Sequence, residues 1–179
     1  FGERWDKSAE DLVIDSAYEA FEDAGIESKD IQSAWVGTWD SGSTGLALTG
    51  PLKLDHIPVS RVENICATGQ DVVRNAAFAV AAGVYDIVLA LGFEKMKDSW
   101  MGQGGNPVPV GAGTLANPPI TQAAGMFAMA AVKYWETYGL DFERGKEILS
   151  KIAVKNHHNG SLNPKAHFQN EITVEKAMN

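Results

Sequence analysis

Apolar residues recur at helical spacing in the first part of the chain. Ser8 is a suitable N-cap residue, and Asp11 three residues later completes the pattern of a capping box. The apolar positions that follow are Leu12, Val13, Ala17, Ala20, Phe21 and Ala24. Gly25 then favours an end to the helix. The pattern therefore predicts one amphipathic helix between Ser8 and Gly25.

Short apolar runs after this helix predict three strands, at 34–39, 59–64 and 87–91. Helical segments are predicted between them, at 45–54 and 70–83. The run 87–91 is continuously apolar, which is typical of a parallel strand buried on both faces. Regular alternation of helix and strand indicates an α/β fold.

The apolar face of the helix 70–83 is broad and consists of small residues. Its members are Val72, Val73, Ala76, Ala77, Val80 and Ala81. Small side chains allow a helix to lie close to its neighbours, so we expect this helix in the middle of the fold, between two sheets.

The pattern changes after residue 95. Residues 102–119 are rich in Gly and Pro, which predicts a long loop. Helices are then predicted at 121–138 and 142–156, with no strand between them. The sequence thus predicts an α/β core at 1–95 and a helical insertion at 96–179.

Charge and composition limit the classes of function and partner that the chain can have. The net charge of −8 argues against a nucleic-acid partner. Residues 1–94 carry 6 basic and 16 acidic residues, and residues 95–179 carry 9 and 7, so the second part would tolerate an anionic ligand better. The sequence contains no run of 18 apolar residues, so no membrane span is predicted. The single cysteine suits a reducing cytoplasm, and a start at Phe1 indicates a processed chain or a fragment.

Cys66 is the only cysteine, and it lies between a predicted strand and a predicted helix. A thiol at a helix N-terminus faces unpaired N–H groups and the positive end of the helix dipole, which favour the reactive thiolate. The alternative is a small buried hydrophobic residue. No histidine close in sequence supplies a base for a cysteine nucleophile.

Metal binding is not predicted. His157 and His158 are adjacent, so on a helix their side chains diverge by about 100° and cannot hold one ion together. One cysteine cannot build a zinc site.

Several segments together resemble the thiolase superfamily. Residues 62–69, Val-Glu-Asn-Ile-Cys-Ala-Thr-Gly, are similar to its nucleophile segment. Residues 92–96 are similar to its Gly-Gly-x-Glu-x-Met segment, with Phe93 in place of the second glycine. Residues 126–139 resemble the loop-domain helix, with Gly125 where biosynthetic thiolases have histidine. Segments 155–157 and 163–173 resemble sterol-carrier-type and archaeal thiolases, so the resemblance spans essentially the whole chain.

The resemblance implies a layered α-β-α-β-α fold built from two similar halves. This chain would cover most of the N-terminal half, without its first strand, together with a helical loop domain that covers coenzyme A. The catalytic histidine and the second catalytic cysteine or its substitute would belong to the C-terminal half.

The implied activity is that of an acyl-CoA C-acyltransferase. Cys66 would carry the acyl group during Claisen condensation or thiolysis of acetyl-CoA and acetoacetyl-CoA type thioesters. Met126, Phe127 and His157 would form the wall of the acyl or pantetheine site. Coenzyme A enters as the substrate thioester, and no separate cofactor is implied.

Other readings remain open. A related condensing enzyme, such as a hydroxymethylglutaryl-CoA synthase, also uses a cysteine, and a non-catalytic CoA-binding or scaffold subunit or an inactive fragment is a further alternative. The resemblance implies a homodimer or tetramer. It also suggests two possible partners, a hydroxymethylglutaryl-CoA synthase and a small acyl-CoA-binding scaffold protein.

Overall fold

A computed structural model describes residues 1–2, 4–98 and 123–179, without the side chains of Lys97, Ala123 and Met126. The chain divides into two compact units, Trp5–Gly105 and Phe1–Arg4 with Asn106–Asn179. The domain boundary predicted after residue 95 stays a prediction.

The first helix confirms the capping pattern. α1 runs Ala9–Ala24, and the Ser8 hydroxyl and the Asp11 carboxylate bond each other's backbone N–H in a capping box. These bonds hold the pKa of Asp11 below its usual range. Gly25 ends the helix with φ 68°, a conformation that glycine adopts without a steric penalty.

Strands and helices alternate after α1, as the sequence predicts. The elements are β1 Ser33–Gly37, α2 Leu46–Leu52, β2 Val59–Val62, α3 Thr68–Ala81 and β3 Val88–Gly92. The strands form one parallel sheet in the order β2-β1-β3. The α/β fold class is therefore confirmed.

One face of the sheet carries the core of this unit. Ala34 of β1 lies opposite Val59 of β2 and Leu89 of β3, which places the three side chains on the same face. The buried residues on and around this face are Val13, Ala17, Phe21, Ile31, Ala34, Val36, Leu48, Leu52, Leu54, Leu89 and Leu91. The apolar sides of α1 and α2 thus pack against the sheet.

The opposite face is covered by α3 through Thr68, Val72 and Ala76, which are buried. The expectation of burial on both sides of this helix is wrong for the described chain. Val73 is 60% exposed and Val80 is 41% exposed, because α3 packs against strands on one side only.

The strand β3 is likewise buried on one face only. Leu89 and Leu91 are buried in the core, but Ala90 and Gly92 are exposed. The continuous apolar run therefore overestimates the burial of this strand, because the described residues bury the face of Leu89 and Leu91 but leave Ala90 and Gly92 on the other face exposed.

Glu94 joins the loops that follow β1 and β3. Its carboxylate accepts backbone N–H bonds from Trp39 at 2.7 Å and from Ser41 at 2.8 Å, and it also accepts a bond from the Ser41 hydroxyl. That hydroxyl accepts the N–H of Lys95 at 2.7 Å. The network fixes the two loops to each other at the carboxyl edge of the sheet.

The second unit is helical. Its helices are α4 Ala123–Thr137, α5 Phe142–Ser161 and α6 Val174–Met178. Asp141 caps α5 through the Arg144 N–H, and Gly139, at φ 66°, follows α4. The predicted loop 102–119 and the first residues of the helix predicted at 121–138 lie outside the described residues.

The helix α5 is longer than predicted, because polar side chains in its last turns have partners. His158 Nδ1 lies 2.8 Å from Glu171 Oε1, and the Ser161 hydroxyl bonds the His158 carbonyl. The short helix α6 was not predicted. None of the described helices is both long and apolar enough to cross a membrane.

The crossing of α4 and α5 depends on one glycine. A Cβ at Gly145 would lie 2.3 Å from the ring of Trp135, which is 9% exposed. We predict that Gly145→Ala costs about 1–3 kcal/mol through overpacking. Gly50→Ala, in α2, is the control. A Cβ at Gly50 would have no atom within 4 Å, and alanine has a higher helix propensity than glycine. Hydrogen exchange of α4 and α5 amides measures the effect, and unchanged protection in Gly145→Ala would contradict it.

The Glu94 network gives a second prediction. Glu94→Gln replaces one acceptor oxygen by an NH2 group, which cannot accept the Trp39 or Ser41 N–H, so a half-buried donor loses its partner. We expect a loss of about 1–3 kcal/mol in unfolding free energy. Urea unfolding measures it, with Glu22→Gln on the exposed side of α1 as the matched control. Equal midpoints for the two variants would show that the network adds no stability.

Candidate active site

Cys66 lies in the turn that connects β2 with α3. A 3₁₀ turn covers Ile65–Ala67 and leads directly into α3 at Thr68. The thiol residue is exposed, which does not fit the alternative of a buried hydrophobic cysteine. The placement between a strand and a helix N-terminus agrees with the sequence prediction, although the strand ends at Val62, before Asn64.

The backbone just before Cys66 adopts an uncommon conformation. Ile65 has φ 49°, in the left-handed region that a β-branched residue rarely occupies. Asn64, with φ −152° and ψ 47°, also departs from regular strand geometry. The chain therefore turns sharply ahead of the cysteine.

Side chains on both sides of the cysteine hold this turn. The Ile65 N–H donates to Glu63 Oε1 at 2.6 Å. The Thr68 hydroxyl accepts the Asn64 N–H at 2.8 Å and donates to the Ile65 carbonyl at 2.7 Å. The Ala67 N–H bonds the Asn64 carbonyl at 2.9 Å. These bonds occupy most of the polar backbone groups of the turn.

A second set of polar contacts ties the turn to the first helical turns of α3. Asn64 Nδ2 donates to Asp71 Oδ2 at 3.0 Å, and Arg74 pairs with Asp71 at 2.8 Å. Asn64 is thereby fixed through its backbone and its side chain.

The sheet approaches α3 most closely at Gly37, the last residue of β1. A Cβ at Gly37 would lie 2.6 Å from Val72 Cγ2 and 2.8 Å from Thr68 Cγ2. The absence of a side chain there lets the first turn of α3 lie against the sheet. The position of Cys66 thus depends on a residue about thirty positions earlier in the sequence.

The amide of Cys66 has no hydrogen-bond partner among the described residues. It lies beside the N-terminus of α3, where backbone N–H groups and the helix dipole favour negative charge. An exposed thiol and an available N–H at one residue are the groups that a thioester attack needs, a nucleophile and a donor to the oxyanion.

The other predicted site residues belong to the helical unit. Phe127, on α4, is 73% exposed, and the side chain of Met126 lies outside the described part. His157 is half-buried, with Nδ1 2.9 Å from the Asn170 carbonyl and its ring stacked on Phe168. The roles predicted for Met126, Phe127 and His157, like that of Cys66, stay predictions.

Residues 163–173 lie along α5, a feature that sequence reasoning missed. This segment packs against the helix at Gly160, where the Phe168 carbonyl comes close. A Cβ built on Gly160 would lie only 2.6 Å from the Phe168 carbonyl oxygen. The His158 ring bonds Glu171 and holds the pKa of that carboxyl below its usual range. In the described part of the chain, no group of three or more His, Cys, Asp or Glu side chains is placed to hold a metal ion.

Sequence reasoning also missed the residues that shape the turn around Cys66. Thr68 and Gly37 are the two whose roles depend on contacts across the unit. A threonine two residues after the cysteine and a glycine at the end of a strand were the available signals. Neither signal specifies its partner without the fold.

An exposed cysteine between a parallel strand and a helix N-terminus is placed where a nucleophilic thiol would be accessible to a substrate. The family profile "Thiolase, N-terminal domain" matches residues 1–178. The chain belongs to the thiolase superfamily, and its fold is that of the N-terminal half.

Curated relatives agree with this assignment. The chain is 35% identical to an acetyl-CoA acetyltransferase of Methanothermobacter thermautotrophicus, over 100% of this chain and 47% of the relative. It is 34% identical to a sterol carrier protein 2 of Gallus gallus, over 94% of this chain and 32% of the relative. The chain thus spans about half or less of the length of these relatives.

Solved structures give the same fold. The structure titled "Ltp2-ChsH2(DUF35) aldolase" has a TM-score of 0.69 at 25% identity, over 98% of this chain and 44% of that chain. A thiolase from Ascaris suum in complex with coenzyme A has a TM-score of 0.58 at 18% identity, over 95% of this chain and 51% of that one. The second match supports the fold alone.

The Gly37 contact gives a prediction for the site. Gly37→Ala places a methyl group against Val72 and Thr68 and pushes the start of α3 from the sheet, which we expect to cost about 1–3 kcal/mol. Thermal unfolding and the alkylation rate of Cys66 measure the two effects. Gly69→Ala is the control in the same helix, because a Cβ there meets nothing within 4 Å. If Gly37→Ala unfolds at the same temperature as Gly69→Ala, the contact does not constrain α3.

Proposed function

We propose that this chain forms the nucleophile-bearing half of an acyl-CoA C-acyltransferase of the acetyl-CoA acetyltransferase type. The observation that carries the proposal is the exposed thiol of Cys66 at the N-terminus of α3, beside an amide without a partner in the described structure. The 35% identity to a named acetyl-CoA acetyltransferase supports the substrate class.

In the proposed reaction, the Cys66 thiolate attacks the carbonyl carbon of an acyl-CoA thioester. The bond from carbon to the Cys66 sulfur forms, the bond to the CoA sulfur breaks, and the CoA thiolate that leaves takes the proton that the Cys66 thiol lost on ionising, so no net proton is needed. The Cys66 N–H donates to the carbonyl oxygen while negative charge develops there. The product of this half-reaction is an acyl thioester on Cys66.

The second half-reaction forms or breaks a carbon–carbon bond. In the synthetic direction, a carbanion of acetyl-CoA attacks the acyl-Cys66 carbonyl carbon. The carbon–carbon bond forms, the bond from that carbon to the Cys66 sulfur breaks, and Cys66 leaves as the thiolate. In thiolysis the same steps run in reverse. A base is needed to form the carbanion, and we assign it to the part of the relatives that this chain does not span.

Met126, Phe127 and His157 are proposed to line the acyl or pantetheine site. Phe127 offers an exposed aromatic surface. His157 is a less mobile candidate, since its ring is bonded to the Asn170 carbonyl and stacked on Phe168.

The likeness to the structure titled "Ltp2-ChsH2(DUF35) aldolase" supports a second candidate, in which the chain serves in an assembly with a partner. In this candidate Cys66 has no acyl-carrying role. The non-catalytic CoA-binding or scaffold reading belongs to the same group of outcomes. A hydroxymethylglutaryl-CoA synthase type activity would share the acyl-Cys66 step and differ in the acceptor, acetoacetyl-CoA.

The same comparison bears on one partner only, and we propose a DUF35-type protein as the partner to test first. The family resemblance supports two further proposals, self-association into a dimer or tetramer and binding of a hydroxymethylglutaryl-CoA synthase. Sedimentation of the protein alone and with each purified partner measures both. A monomer that binds neither partner would contradict this part of the proposal.

The acyl-transfer proposal predicts a covalent adduct. Incubation with acetyl-CoA should add the mass of one acetyl group to the protein, and Cys66→Ala should abolish the addition. Intact-mass spectrometry measures it, and hydroxylamine should remove the group because it is a thioester. Cys66→Ser is the matched control for the shape of the site.

Absence of the adduct, in a protein whose Cys66 still reacts with iodoacetamide, would overturn acyl transfer by this chain and favour the partner-dependent or scaffold reading. An adduct that a later addition of acetoacetyl-CoA removes, but acetyl-CoA does not, would favour the synthase-type acceptor.

A further inference from the structure

The left-handed backbone conformation of Ile65 is sterically unfavourable, so neighbouring groups must stabilise it. A β-branched residue at φ 49° is disfavoured by contacts between its side chain and the backbone. Such conformations persist only where the surroundings over-determine them. The peptide bond between Ile65 and Cys66 is the one whose orientation this conformation sets.

Thr68 is the buried group that holds Ile65 in place. It is 8% exposed, and its methyl group faces Gly37. Its hydroxyl accepts from the Asn64 N–H and donates to the Ile65 carbonyl, and its own N–H bonds the same carbonyl. The hydroxyl thus bridges the residues on either side of the sharp bend.

Glu63 makes the other side-chain contact to Ile65, through the Ile65 N–H. Glu63 is exposed, so water competes for this bond. Water has far less access to Thr68. The difference in burial makes Thr68 the main restraint on the bend.

We propose that Thr68 is a positioning residue for Cys66: its hydroxyl keeps Ile65 left-handed, and the bend in turn orients the Cys66 thiol and amide toward a thioester. This inference rests on the proposed function. Thr68 is not a catalytic residue in this assignment, because both hydrogen bonds of its hydroxyl go to backbone groups of Asn64 and Ile65.

Two substitutions separate the hydroxyl from the shape of the residue. Thr68→Val keeps the methyl contact with Gly37 and loses both hydroxyl bonds, so Ile65 is free to return to a negative φ. Thr68→Ser keeps the hydroxyl. Thr49→Val is the matched control, since the Thr49 hydroxyl also bonds a backbone carbonyl within the same unit, that of Leu46, but far along the chain from Cys66.

The experiment measures two rates on the full chain. One is the alkylation of Cys66 by iodoacetamide, and the other is acetylation by acetyl-CoA over a range of concentrations. Thr68→Val should lower both rates about tenfold, through the maximal acetylation rate and not the half-saturating concentration. Thr68→Ser should stay within about twofold of the parent, and Thr49→Val should not differ from it.

A third variant tests whether Thr68 acts on Cys66 through the conformation of Ile65. Glycine adopts the left-handed conformation without a penalty, so Ile65→Gly added to Thr68→Val should restore most of the lost rate. The double variant also serves if Thr68→Val alone does not fold. A folded double variant with no recovery, or a double variant that does not fold, would overturn the assignment.

Alkylation of Thr68→Val at the parent rate would also overturn it. The two proposals fail in different ways. A parent protein that never acetylates refutes the proposed function, whereas the alkylation rates still report on whether Thr68 positions the thiol.

Discussion

The close packing of α3 against the end of β1 is the constraint on which the site depends. Gly37 has no side chain, and this absence admits Val72 and Thr68 to the sheet surface. Parallel strands end at one common edge, so β1, β2 and β3 bring the loops after Gly37, Val62 and Gly92 together there. The turn that carries Cys66 is therefore attached to a helix that the sheet itself positions.

Two hydrogen-bond networks lie at this edge, one around Glu94 and one around Cys66, and only the second leaves a donor without a partner in the described structure. The carboxylate of Glu94 accepts backbone and hydroxyl hydrogen bonds from the loop after β1, so it holds that loop to the loop after β3. Around Cys66 the bonds serve the backbone of Asn64 and Ile65, and the amide of the cysteine is left available to a ligand. A rigid frame with one open donor is what preorganised stabilisation of an oxyanion requires.

Local patterns could be predicted from the sequence, and contacts between distant segments could not. The Ser8–Asp11 capping box and the turn at Gly25 depend on residues three or four apart. The burial of α3 was overestimated, because an apolar helix face predicts that something covers it but not whether that element lies in the described chain. Ile65 was unpredictable for a further reason, since its intrinsic preference opposes the conformation that Thr68 and Glu63 impose.

The strand order also sets the sequence of events in folding. β1 pairs with β3, so that Ala34 meets Leu89, and the Glu94 bonds join residues 53 to 55 positions apart. Such contacts require closure of a long loop before any favourable interaction compensates the lost entropy. The surface that α3 needs is complete only after β3 has joined β1. We therefore expect local bonds to shape the turn around Cys66 early, and its place against the sheet to be fixed only once β3 is paired.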